Sequence, residues 1–162
     1  MRPSKIKTIK AKRTKLLLPS FNAITWMGTI YCKKQTDVNS INASEEIDSQ
    51  LKSHEAIHIR QAQSMKDSWF IFYLRYVWDW ICNIPLIFIN VHAPYKFIAT
   101  EIEAYLNQND FTYSTNGPVY QWKKFEKLPI GRKYNLAKEY YKNKGNYTFT
   151  NFIKNEIIGF IA

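Results

Sequence analysis

The stretch His54-Glu55-Ala56-Ile57-His58 combines residue types that do chemistry with a spacing that suits it. On a helix, side chains four residues apart lie on the same face, about 5–6 Å apart at their Cβ atoms. Two imidazoles in that arrangement can bind one zinc ion, and the glutamate beside the first can accept a proton from water. The chain has three histidines, and two of them lie in this pattern. We therefore predict His54 and His58 as metal ligands and Glu55 as a general base.

A catalytic zinc site needs a third protein ligand and keeps one position open. The metzincin pattern is excluded, because Gln61 and Ser64 stand where it needs glycine and histidine. A carboxylate from a later helix is the alternative, and the segment E-I-E-A-Y at residues 101–105 offers two. Residues two apart point about 200° apart around a helix, so Glu101 and Glu103 cannot both face one metal ion. The spacing leaves either glutamate as a candidate.

The two segments together resemble the gluzincin pattern of the heat-shock and prenyl-protein-processing membrane zinc peptidases and of the antirepressor-type peptidases of β-lactam sensing. In those families the second motif is E-x-x-A-D, and its first glutamate binds zinc. The resemblance implies that Glu101 is the third ligand and that the chain hydrolyses peptide bonds. Tyr105 stands where those families have an aspartate that orients a zinc-bound histidine. We expect Tyr105, or Glu103, to take over that role.

A longer string is similar to that of small bacterial proteins with H-E-x-I-H-x-R-Q and, after an apolar helix, E-x-E-A-Y. This similarity covers roughly residues 20–110. In that string we interpret Arg60 and Gln61 as residues that brace the motif helix. His92, just before Pro94, is predicted to be a loop or helix-cap residue. Its functional alternative is a place beside the metal, where it would stabilise an oxyanion or supply a ligand.

The elements that must position these residues can be predicted from periodicity. Residues 22–32 alternate, which indicates a strand in a hairpin or at a sheet edge, and residues 33–42 read as a polar loop. Asn42 and Glu45 form a plausible capping box for a helix over residues 44–65 that carries the motif. Further helices are predicted over residues 67–82, 95–108, 132–143 and 149–161. The expected fold is mainly α with a small β element (α+β), a minimal zincin-like domain.

Composition and charge fit one folded domain with a basic end. The chain has 162 residues, 46% of them apolar, so it is neither disordered nor fibrous in composition. The net charge is +10, and residues 1–36 hold nine Lys or Arg and no acid. We predict a basic N-terminal arm over residues 1–19 and a single domain over residues 20–162. The arm would attract an anionic membrane surface, or nucleic acid as the second choice.

Two further features bear on location. Cys32 and Cys82 are too far apart for a C-x-x-C motif, which favours reduced thiols and a cytoplasmic protein. Residues 69–91 are aromatic and apolar but interrupted by Arg75 and Asp79, which could pair on one helix face. This segment is a poor candidate for a membrane span. It is either a buried core helix or an in-plane helix at a membrane surface, and the second reading would make the protein membrane-associated.

Two functional hypotheses follow from these residues. The first is a zinc-dependent metallopeptidase, in which His54, His58 and Glu101 hold Zn²⁺ and Glu55 is the base that acts on a peptide or protein substrate. The second is a non-catalytic basic protein that associates with a membrane or nucleic acid and has a structural or vestigial zinc site.

Overall fold

Helices dominate the described part of the chain, with one small sheet near the N-terminus. The computed structural model describes residues 10–16, 23–44 and 46–157. The strands are β1 Lys10–Arg13, β2 Ala23–Trp26 and β3 Thr29–Cys32. The helices are α1 Gln35–Asn42, α2 Gln50–Ser64, α3 Trp69–Cys82, α4 Ala93–Lys96, α5 Ala99–Asn107, α6 Tyr113–Asn116, α7 Trp122–Glu126, α8 Ile130–Lys142 and α9 Phe149–Glu156, with a 3₁₀ helix at Ile84–Phe88. This confirms the predicted α+β class.

The described elements fall into two compact units. Of the described residues, one unit comprises those up to residue 69 together with residues 108–117, and the other comprises residues 70–107 and 118–157. The first contains the sheet, α1, α2 and α6, and the second contains most of the remaining helices. The predicted division into an arm and one domain stays a prediction, although residues 10–13 of the arm form β1. Residues 1–9 and 17–19 of the arm lie outside the described residues.

The sheet of the first unit has the strand order β1-β3-β2. β1 runs parallel to β3, and β2 and β3 form an antiparallel hairpin in which Trp26 lies opposite Thr29. Met27 and Gly28 make the two-residue turn, with φ of 52° and 80°. Such a turn needs positive φ at both positions, which matches the twist of the strands. The single strand predicted over residues 22–32 is therefore wrong in extent, since the chain reverses at Gly28, but its hairpin context is confirmed.

The polar segment after β3 is a helix, α1, and the predicted loop over residues 33–42 is wrong. Val38 and Ile41 are buried and pack with Ala11, Ile30 and Cys32 into the small core of this unit. Two apolar residues three apart form a stripe too short to be visible in the sequence. Short helices depend mainly on tertiary packing, and here the sheet provides it.

The motif helix α2 begins later than predicted. It starts at Gln50, and the Ser49 hydroxyl accepts a hydrogen bond from the Lys52 amide at 3.4 Å. The proposed capping residue Asn42 instead ends α1. Its side chain accepts from the Ala11 amide at 2.9 Å and donates to the Ala11 carbonyl at 3.0 Å. Asn42 thus satisfies backbone groups of β1, and its proposed partner Glu45 lies outside the described residues.

Cys32 lies fully buried in the core of the first unit, and Cys82 is exposed at the end of α3; both are free thiols. Burial, with a smaller contribution from the nearby carboxylates of Asp37 and Glu55, raises the pKa of Cys32 to about 11. Because the thiolate is the form that binds metal, Cys32 is a neutral packing residue at neutral pH.

In the second unit, α3 turns most of its side chains outward. Phe72 is its one buried residue, so α3 is not the core helix that the sequence allowed. No helix among the described residues is both long enough and apolar enough to cross a membrane. The core of this unit is formed instead by later elements, with Leu86, Phe97, Ile102, Leu106, Phe125, Leu136, Tyr140, Phe149 and Ile153 among its buried members.

A buried polar network explains why the helix predicted over residues 95–108 is two helices. The Asp79 carboxylate accepts a hydrogen bond from the Ala99 amide, which starts α5 anew after α4 ends. Lys133 on α8 donates to Asp79 and to the Asn83 side chain, each at 3.0 Å. Asn83 in turn donates to the Pro94 carbonyl at 3.2 Å. The network therefore ties α3, α5 and α8 together.

The C-terminal helix α9 is shorter than predicted. The Thr148 hydroxyl caps it by accepting from the Asn151 amide at 3.3 Å, and the helix ends at Glu156. Of the helix predicted over residues 149–161, residues 158–161 lie outside the described part of the chain. The helix predicted over residues 132–143 is confirmed as α8, two residues longer at its start and one shorter at its end.

The ion pair between Lys133 and Asp79 gives a stability prediction. Both side chains are largely buried, so removal of one partner leaves a buried charge uncompensated. We expect Lys133→Ala to lower the free energy of unfolding by about 3–5 kcal/mol, measured by denaturant titration. Lys138→Ala, an exposed lysine on the same helix, is the control and should change little. Equal losses in the two variants would contradict a stabilising role for the pair.

Candidate metal centre

The helix α2 carries both predicted histidine ligands in its second and third turns. Its eight consecutive residues from Lys52 to Ile59 are all buried. Within its unit α2 packs against β2 and α6. A helix enclosed in this way holds its side chains in fixed rotamers, which is what a preorganised metal site requires.

Arg60 fastens α2 to the end of α6. Its guanidinium donates to the Tyr113 carbonyl at 2.7 Å and to the Gly117 carbonyl. A carbonyl oxygen has two lone pairs, so the Tyr113 carbonyl can accept from Arg60 as well as from the Gly117 amide, which lies 2.9 Å away. This contact confirms the predicted bracing role of Arg60.

The two imidazoles face each other. The Nε2 atoms of His54 and His58 are 3.2 Å apart, and the ring planes are inclined by 82°. The Nδ1 atom of His54 lies 3.1 Å from Gln108 Oε1, and the Nδ1 atom of His58 lies 2.8 Å from Gln61 Oε1. An amide oxygen only accepts hydrogen bonds, so this orientation of the glutamine amides favours the tautomer with the proton on Nδ1 in each ring, in which each Nε2 is an acceptor. This is the tautomer of a metal-binding histidine.

Two facing lone pairs at this distance repel unless a positive charge lies close to both. A proton on one ring or a metal ion can supply that charge. Zinc binds imidazole nitrogen at about 2.0–2.1 Å, so two nitrogens at a tetrahedral angle lie about 3.3 Å apart. The separation of 3.2 Å between the two Nε2 atoms agrees with that edge length.

Glu101 lies in the first turn of α5 and is buried. Its Oε1 accepts a hydrogen bond from the Tyr76 hydroxyl at 2.9 Å. The start of α5, two residues before Glu101, is fixed by the hydrogen bond from the Ala99 amide to Asp79. Both contacts hold the carboxylate and its helix in one arrangement.

His54, His58 and Glu101 form a buried group that could bind a metal ion. Each offers one ligand atom, and these atoms all lie within 4.8 Å of one another. Two imidazole nitrogens and one carboxylate oxygen are a donor set that zinc accepts, and three protein ligands leave a fourth position open. The residues therefore fit the predicted cofactor in donor chemistry and in the spacing of the nitrogens.

Glu55, the predicted base, is held from the sheet. Its Oε2 accepts a hydrogen bond from the Thr25 hydroxyl on β2, and both side chains are buried. A hydrogen bond donated to a carboxylate fixes its orientation. The hairpin thus has a direct link to the motif helix.

The remaining predicted residues lie elsewhere. Glu103 is buried on α5 but does not belong to the three-residue group. The Tyr105 ring packs edge-on against Phe149 at 5.1 Å, and the Lys96 ammonium lies over it at 4.9 Å. Burial lowers the pKa of that lysine. His92 is exposed at the start of α4, which confirms the predicted cap position.

Four residues that orient the group were not predicted in that role. Gln61 was assigned only a bracing role, although its place three residues after His58 on one helix was a usable signal. Gln108, Tyr76 and Thr25 come from separate elements, and nothing in their local sequence indicates that they approach a histidine or a carboxylate. Their contacts depend on tertiary structure.

Comparisons with protein-family profiles, with curated proteins and with solved structures found no match to this chain. The gluzincin resemblance therefore stays a prediction that rests on the two motifs. The zincin-like character of the domain is likewise a proposal, supported by the group of His54, His58 and Glu101.

The glutamine contacts give a prediction for metal affinity. Gln61→Leu removes the acceptor that holds His58 in its ligand tautomer, and losses of such orienting partners typically weaken binding by about 10–100-fold. We expect that loss in zinc affinity, measured by competition with a chelating dye. Gln50→Leu, an exposed change at the start of the same helix, should bind zinc like the unmodified protein. Equal affinities in all three proteins would show that Gln61 does not orient a ligand.

Proposed function

We propose that the chain is a zinc-dependent metallopeptidase that hydrolyses peptide bonds. The observation that carries the proposal is the buried group of His54, His58 and Glu101, with Glu55 next to the first ligand on the same helix. When bound, zinc would act as a Lewis acid that polarises a carbonyl group and makes water acidic enough to lose a proton near neutral pH. The residues of the chain would supply the remaining functions.

Glu55 would be the general base. It would take a proton from the attacking water as the water oxygen bonds to the peptide carbonyl carbon. It would then pass that proton to the departing amine as the C–N bond breaks. Thr25 would hold the carboxylate of Glu55 in position for both transfers through its hydroxyl.

An extended peptide or protein segment is the substrate class that the sheet favours. β2 is one of the two outer strands of the three described, and it carries Thr25, which contacts the proposed base. A strand at the border of a sheet can bind an extended peptide through main-chain hydrogen bonds. A peptide segment that lies along β2 would pass Thr25, which contacts Glu55, the residue proposed to activate water.

The alternative is a non-catalytic protein with a structural or vestigial zinc site. Burial of the three candidate ligands favours this alternative, because structural zinc sites are closed. Within the described part of the chain the group has three candidate ligands, which favours catalysis, because structural sites have four protein ligands and catalytic sites have three. We place catalysis first for that reason, and the role of Glu55 separates the two.

The metal itself is tested by zinc content. We expect about one zinc per chain by mass spectrometry of the purified protein, and loss of zinc in His54→Ala and in Glu101→Gln. Glu103→Gln is the matched control on the same helix and should retain the metal, because Glu103 lies outside the group. A folded but metal-free unmodified protein that also fails to take up added zinc would overturn the proposal. Loss of zinc in Glu103→Gln but not in Glu101→Gln would show that Glu103, and not Glu101, is the third ligand.

Catalysis is tested with Glu55→Gln, which keeps the shape of the side chain but removes the base. A positioned general base contributes about 10²–10⁴-fold. We expect hydrolysis of labelled casein and of a mixed fluorogenic peptide library to fall by at least about 100-fold, with zinc content unchanged. If Glu55→Gln hydrolysed these substrates as fast as the unmodified protein does, Glu55 would not be the general base. Zinc binding without hydrolysis in either protein would favour the non-catalytic alternative.

The hydrogen bond from Thr25 has its own expected effect. Thr25→Val keeps the size of the side chain and removes the donor to Glu55. We expect kcat to fall by about tenfold, with KM and zinc content unchanged, because the carboxylate loses its fixed orientation. Thr29→Val, on the neighbouring strand β3, is the control and should leave kcat unchanged. A fall in both variants would indicate damage to the hairpin.

A further inference from the structure

The exposed apolar face of α3 and the following 3₁₀ helix has no role in the proposed chemistry. Ten large apolar side chains between residues 70 and 91 are exposed by 41% to 86%. They are Phe70, Leu74, Val77, Trp78, Trp80, Ile81, Ile84, Ile87, Phe88 and Val91. Single exposed apolar residues are normal on soluble proteins, but a contiguous set of this size marks an interaction surface. We call this set the α3 face.

The helix α3 presents its apolar stripe to solvent. Four of its exposed residues recur at intervals of four, three and four positions, which puts them on one side of a helix: Phe70, Leu74, Val77 and Ile81. Trp78 and Trp80 lie on the two borders of this stripe. The 3₁₀ helix that follows α3 adds further exposed apolar residues, and Ile84 and Ile87, which are three apart, share one side of it.

The opposite side of α3 holds the polar groups. Asp79 is paired with Lys133, and the Arg75 guanidinium contacts Glu126 at 2.5 Å and stacks over Trp122 at 4.7 Å. These are the two charges in residues 69–91, and both are matched within their own unit. A surface helix of a soluble protein shows the reverse arrangement, with its apolar side toward the core. The α3 face is therefore apolar and without charge.

We propose that the α3 face docks on the surface of an anionic lipid bilayer, with α3 lying in the plane of the membrane. The 14 residues of α3 span about 21 Å, less than the roughly 30 Å of a bilayer core. An in-plane helix needs an apolar side that enters the lipid to a depth of about 5–10 Å, and the α3 face provides one. Tryptophans at the borders suit the boundary between lipid and water.

The charge of the protein selects lipid over a second copy of the chain. The net charge is +10, and residues 70–107 and 118–162, which include the α3 face, contain eleven Lys or Arg against six Asp or Glu. Two copies brought together would repel, whereas an anionic surface attracts them. Buried apolar area and electrostatic attraction then act together, as in other peripheral membrane helices.

The test is binding of the full chain to vesicles of phosphatidylcholine that contain about a third phosphatidylglycerol. We expect the unmodified protein to sediment with these vesicles, and its tryptophan fluorescence to be quenched by brominated lipid. The variant Leu74→Gln/Trp78→Gln/Phe88→Gln should lower the partition coefficient by at least about tenfold. The matched control makes the same kind of change at three exposed apolar residues elsewhere, Leu16→Gln/Val119→Gln/Ile130→Gln, and should bind like the unmodified protein.

Three results would overturn the proposal. The unmodified protein could remain in the supernatant with anionic vesicles, or the α3-face variant could bind them as well as the control does. The protein could also be a dimer in solution that the α3-face variant converts to a monomer, which would make this face an interface between copies. Zinc content of the same variant is a check on folding that does not depend on lipid, and it should equal that of the unmodified protein.

Discussion

The Nε2 atoms of His54 and His58 face each other at 3.2 Å, and the charge balance of the candidate site depends on this contact. Because glutamine oxygens lie beside both Nδ1 atoms, they favour the tautomer in which the Nε2 atoms face each other as acceptors, and a cation bound by both atoms would remove their repulsion. The burial of α2 removes water as an easy source of compensation. The group that could bind such a cation includes the carboxylate of Glu101, whose negative charge would balance part of the charge of the cation.

The carboxylate depends on a second buried arrangement. Asp79 receives the Ala99 amide and the Lys133 ammonium, which fixes where α5 starts and therefore which residue lies in its first turn. If α4 and α5 were one unbroken helix, Glu101 would lie in a different turn of it, and its side chain would point in a different direction. Tyr76, three residues before Asp79 on α3, contacts Glu101 directly. α3 thus supports the ligand helix through two side chains one turn apart.

The sequence predicts candidate site residues best where one short segment contains the whole motif. The helix spacing of the H-E-x-x-H motif predicts two facing imidazoles without knowledge of the fold. Glu101 was available only from a resemblance, because two glutamates in E-x-E are equivalent until tertiary contacts select one. α1 was missed since its stability comes from packing on the sheet, and the start of α2 was misplaced because Asn42 bonds to Ala11 in a distant strand. Local pattern therefore predicts the candidate ligands of one helix better than it predicts the residues that contact them.

The apolar side and the polar side of α3 have different surroundings. Asp79, Arg75 and Tyr76 occupy the side that is engaged within the protein, and they find charged or hydrogen-bonding partners there. Phe72 shares that side, and the other large apolar residues of the helix are mostly exposed. The helix that contacts Glu101 through polar groups on one side therefore has an apolar surface on the other. If that surface rests on a bilayer, burial of its apolar side chains would stabilise the helix that carries Tyr76 and Asp79, and so couple membrane docking to the order of the metal ligand.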